Sequence, residues 1–93
     1  MNIQEEIVKR VQALSLPDAE QIPAVESIRI NLLDRIGVRI AEDASEEVVV
    51  EFNRIAESDE VEALQYLDSQ LPNFQQMVIE ELDLLVDEYA LLS

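Results

Sequence analysis

Any chemistry in this chain rests on carboxylates and guanidinium groups, because histidine and cysteine are absent and glycine occurs once. Without imidazole or thiol, most nucleophilic triads, histidine acid–base catalysis, structural zinc sites and di-iron sites of the ExxH type are excluded by residue type. The single glycine, Gly37, leaves no phosphate-cradling loop and no dinucleotide fingerprint. Adjacent acids recur, as at Glu80-Glu81 and Asp87-Glu88, and by type they could move protons or hold a cation. The acid-rich stretch 57–68 nevertheless lacks the ligand spacing and the obligatory glycine of an EF-hand. With 21 acids in 93 residues, such clusters are what a solvated face provides. The expectation is no catalysis, no cofactor and no metal.

The elements that must position these charges read as helices. Asn2-Ile3-Gln4-Glu5 has the form of a capping box, and Ile3, Ile7, Val11 and Leu14 follow at helical spacing. Pro17 and Pro23 then predict a break, with Leu16 and Ile22 plugging the core from the connection. A second helix is expected from about Ala24 to Glu42, carrying Val25, Ile28, Leu32, Leu33, Ile36 and Ile40 on one arc. Gly37 inside it suggests a close helix crossing or a kink. Ile30 and Val38 lie off the main face and offer a second, smaller contact surface.

Asp43 and Ser45 compete to cap a third helix with Val48, Val49, Phe52 and Ile55. Asp59 and Glu62 form a capping box for a short fourth helix, with Val61, Leu64, Leu67 and Leu71. Asn73, with Gln76 three residues on, opens a fifth whose stripe is Phe74, Met77, Val78, Leu82, Leu85, Tyr89 and Leu92. Ile79, Leu84, Val86 and Leu91 widen that stripe well past half the circumference. A helix so apolar is central to a bundle or shared with another chain. The fold expected is all-α: residues 1–93 as a single compact bundle of four to five helices with short connections.

Three charges break the apolar faces. Arg29 interrupts the second helix, and Glu81 and Glu88 interrupt the fifth. Isolated buried charges cost several kcal/mol, so the expectation is that these helices pack together and Arg29 pairs with Glu81 or Glu88.

Net charge is −15, unevenly spread. Residues 1–41 set six acids against Lys9, Arg10, Arg29, Arg35 and Arg39, whereas residues 42–93 set fifteen acids against Arg54 alone. Direct binding to nucleic acid or an anionic membrane is disfavoured, since phosphate contacts need clustered cations. A basic protein partner is favoured, through Glu46, Glu47, Glu51, Asp59, Glu60 and Glu62, with Leu84 and Leu91 as apolar contacts or as a homodimer surface. The reading is a non-enzymatic protein acting through protein–protein interaction, as a structural or regulatory adaptor or a homodimer. The alternative is an acidic imitation of nucleic acid that occupies a basic nucleic-acid-binding protein. The first ten residues lack a signal-peptide pattern, and the longest aliphatic run, Val48-Val49-Val50, is far short of the roughly 20 residues that span a bilayer. A soluble cytoplasmic protein is expected.

A helix opening after Leu16-Pro17, an arginine-bearing central helix, a Glu-Glu helix with Phe52, and Pro72-Asn73-Phe74 leading into Val78-Ile79-Glu80-Glu81-Leu82 form one further pattern. Over residues 14–90 it resembles a bacterial family of short acidic all-helical proteins described only as a domain of unknown function. Pro23 and the additional aliphatics of the last helix depart from the pattern. The resemblance implies a helical bundle and no established activity.

Overall fold

The computed structural model describes residues 2–92, and among these there are five helices and no strand. They are α1 (Ile3–Ala13), α2 (Asp18–Asp43), α3 (Glu46–Ala56), α4 (Glu60–Gln70) and α5 (Phe74–Leu92). The long α2 is the spine: α1, α3 and α5 all pack on it, α4 folds back against α3, and α5 also touches α1 and α4.

Local caps set most boundaries. Asn2 Oδ1 accepts from Glu5 N at 3.1 Å, Ser45 Oγ from Val48 N at 3.4 Å, and Asp59 Oδ1 from Val61 N and Glu62 N. Ser45, rather than Asp43, caps α3, because Asp43 still belongs to α2. The box expected at Asn73 does not form: the Gln76 amide donates forward to Glu80 Oε1 at 3.2 Å. Between α1 and α2, Ser15 takes a positive φ of 57°, a conformation that strains any residue with a Cβ. Ser15→Gly is expected to stabilise the fold by about 0.5–1 kcal/mol, the left-handed penalty less glycine's extra chain entropy. Thermal unfolding followed by circular dichroism checks it; a lowered midpoint would contradict the strain argument.

The expected break at Pro17–Pro23 is replaced by continuous helix. Pro17 occupies the N-cap, where no amide donor is needed, and Pro23 lies inside α2. Pro23 removes the bond to the carbonyl of Ala19, four residues back in the exposed first turn, where water can satisfy it. As a result Ile22 does not plug the core but is 72 % exposed, while Leu16 does pack against it.

The core holds Ile7 and Val11 of α1, Ile28, Leu32, Ile36 and Ile40 of α2, Phe52, Leu67, and Phe74, Met77, Val78, Leu82 and Leu85 of α5. No polar or charged residue is buried among the described residues. Of the fifth helix's expected stripe, Tyr89 is half-buried, and Leu92's side chain lies outside the described residues. Gly37 does not mark a close crossing, since a Cβ there would sit 4.0 Å from the Phe52 ring, an ordinary contact.

Along α2 the buried positions recur every four residues: Ala24, Ile28, Leu32, Ile36, Ile40. Four residues turn a helix by about 400°, so this buried line winds about 40° per step. The winding follows from α2 meeting different neighbours along its length. It also sorts the arginines. Arg35 and Arg39 lie on the flank facing α5, and Arg29 lies on the opposite flank.

Candidate functional site

The ion pairs show where the cations are committed. Arg35 donates to Glu88 at 2.6 Å and lies 3.6 Å from Glu81, while Arg39 reaches Glu80 at 3.1 Å and Glu81 at 3.4 Å. This seam ties α2 to α5. Glu88's hydrogen bond is the largest influence raising the Arg35 pKa, and Gln76 followed by Arg39 lowers that of Glu80. Arg10 bridges α1 to Asp83 of α5 at 2.9 Å and also holds Glu6. Arg54 pairs within α3 to Glu51, whose pKa its hydrogen bonds lower.

Arg29 pairs with Glu60 of α4, not with Glu81 or Glu88 as its wheel position had suggested. Arg29 is about 120° round the helix from Arg35, on the flank that faces α4, so α5's acids are beyond its reach. The acids expected to meet it are instead neutralised by Arg35 and Arg39, which are closer to them.

The Arg29–Glu60 pair stands at an open groove of about 270 Å³ between the start of α1, the middle of α2 and α4. Ile3, Ile7, Leu32, Leu33, Leu64 and Phe74 supply its apolar wall, with Asp68 and Gln65 at the rim. It exists because α1, packed on α2 and α5, and α4, packed on α3 and α5, do not close on each other. These residues read as plain core in the sequence; a gap between two helices leaves no sequence signal.

The acids expected to form one interaction surface are not brought together. Glu46 and Glu47 are exposed in the first turn of α3, without hydrogen bonds or ion pairs. Asp59 is engaged as the α4 cap, Glu60 with Arg29, and Glu51 with Arg54, while Glu62 is exposed. An 11-residue helix, about 16 Å long, separates the Glu46 end of α3 from the turn that leads to Asp59. Leu84 and Leu91 are 52 % and 87 % exposed and, seven residues apart, share one side of α5. Leu84's neighbours one turn either way are Glu80, Glu81, Asp87 and Glu88, every one an acid.

Among the described residues no group of three or more acids is placed to hold a metal ion, and no helix is long and apolar enough to cross a membrane. Every arginine is tied to a carboxylate of its own chain, and the acids left over face outward. What these features define is a small all-helical bundle with an acidic exterior.

The chain belongs to the family DUF5663, proteins of unknown function, whose model matches residues 7–89. No curated protein and no solved structure matched it.

Proposed function

We propose that this protein is a non-enzymatic interaction module that binds a basic, amphipathic protein segment. The observation that carries this is the distribution of charge. The arginines are paired with carboxylates of their own chain, and the outward face keeps unpaired acids interspersed with Ile22, Ile30, Val38, Leu84 and Leu91. Aliphatics set among acids suit a partner that offers both apolar contacts and cations. A second copy suits them poorly, since each copy carries −15 and would bring its acids against like charge. The same interspersion favours an amphipathic protein partner over imitation of a phosphate backbone, which needs carboxylate rows without aliphatics between them.

The test uses a labelled helical peptide with lysines and leucines on one face, and a scrambled peptide of the same composition. Fluorescence anisotropy is expected to show saturable one-to-one binding of the amphipathic peptide that weakens with added salt. Equal affinity for both peptides would reduce the effect to charge alone and overturn the proposal. So would a dimer by light scattering that persists at high salt, because the exposed leucines would then serve self-association.

A further inference from the structure

The outward side of α2 carries a second line of residues at four-residue spacing: Ile22, Glu26, Ile30, Asp34, Val38, Glu42. Aliphatic and acid alternate at every step. All six are exposed, the three aliphatics by 72 %, 52 % and 61 %. None of the three carboxylates makes an ion pair or hydrogen bond, although Arg35 and Arg39 are on the same helix and are engaged by α5. The line lies two residues from the buried one, about 200° round the helix, and both wind in the same sense at the same rate. Hence it stays outward along its length, advancing about 6 Å per step and about 30 Å in all.

We propose that this ridge of α2 is the docking surface for the basic amphipathic partner, held as a helix laid across it. The inference rests on the reading given under the proposed function and names the surface and the occupant. Rows at four-residue spacing are the ridges by which helices interdigitate, and they favour a crossing angle near −50° between the two axes. A partner helix crossing at Asp34 would seat apolar side chains against Ile30 and Val38. Its cations would reach Asp34 between them and Glu26 or Glu42 outside them. The ridge itself presents no cation, so a second copy of the chain laid on it would oppose acid to acid.

An independent feature points the same way. α2 ends with Glu42 and Asp43 and has no basic residue in its last turn. Acids at a helix C-terminus oppose the macrodipole and weaken the helix. Glu42 therefore works against the stability of the element that carries it, and a cationic partner would reverse that effect.

The amphipathic lysine–leucine peptide serves again as the probe, now against two triple variants with matched changes. The ridge variant is Glu26→Gln, Ile30→Gln, Asp34→Asn; the control, on exposed residues of α3, its C-cap and α5 outside the proposed surface, is Val50→Gln, Glu57→Gln, Asp87→Asn. All six positions are exposed, so both variants are expected to keep their helix content, which circular dichroism checks. The ridge variant is expected to bind the peptide about tenfold or more weakly, with the control within about twofold of wild type. Equal losses in the two variants, or a loss confined to the control, would overturn the assignment to α2 while leaving the broader function standing. Absence of binding to the wild-type protein would overturn both.

Discussion

Replacing Ile36 by alanine is expected to cost about 2–5 kcal/mol, while alanine at the adjacent Gly37 is expected to stabilise by up to about 1 kcal/mol. Ile36 has no solvent exposure and lies in the middle of the buried line of α2, within the cluster shared with α5. Truncating it removes its transfer free energy and leaves a cavity that the surrounding helices can only partly close. In a domain whose whole stability is about 5–15 kcal/mol, that loss takes much of the margin. One residue along, the argument reverses. Gly37 has no positive φ, and its missing Cβ would meet nothing nearer than the Phe52 ring at 4.0 Å. The glycine therefore contributes only backbone entropy to the unfolded chain. Urea unfolding of both variants with unchanged slope measures the two effects. A destabilised Gly37→Ala would mean that α3 approaches α2 more closely than this packing has it.

The fold class and the number of helices are legible in the sequence because apolar spacing and cap residues speak locally. Asn2, Ser45 and Asp59 mark their helices correctly, and most of the apolar stripe of α5 is buried where the pattern puts it. The start of α2 is not legible, since the effect of a proline depends on whether it falls at a cap or in an exposed turn. Nor is the partner of Arg29. A wheel drawn at 100° per residue places Arg29 in the middle of the apolar arc, yet over 26 residues the buried line winds with a period of four. A fixed arc blurs faces that rotate. The same blurring hid the regular outward line, of which only Ile30 and Val38 stood out as off-face aliphatics. The groove by Glu60 was hidden for a different reason: it depends on the separation of α1 and α4, which no local pattern encodes.

Reversing one charge in the α2–α5 seam is expected to show how far the bundle depends on it. Arg35→Glu should destabilise by about 2–3 kcal/mol, below the 3–5 of a fully buried pair because the Arg35 side chain is a third exposed. The new carboxylate would stand beside Glu81, which at 14 % side-chain exposure is the most enclosed acid of the seam, and beside Glu88. Arg39 would then be the one cation left among them. Because the loss is electrostatic, added salt should shrink it, and the double variant Arg35→Glu, Glu88→Arg should recover more than half. Arg35→Met separates charge from packing, since it keeps an apolar stem at the same place. If Met and Glu at this position cost the same, and neither responds to salt, the seam is held by stem packing and the ion pairs are incidental. The pH dependence follows a fixed sign. Glu80 has a folded-state pKa below its unfolded value, because Gln76 and Arg39 donate to it. Its stabilising contribution is complete above the unfolded value and disappears as pH falls through the folded one. Acid therefore destabilises the α2–α5 seam through Glu80. Glu80→Gln should leave a variant whose stability, followed by urea unfolding at several pH values, falls less on acidification than that of the wild type.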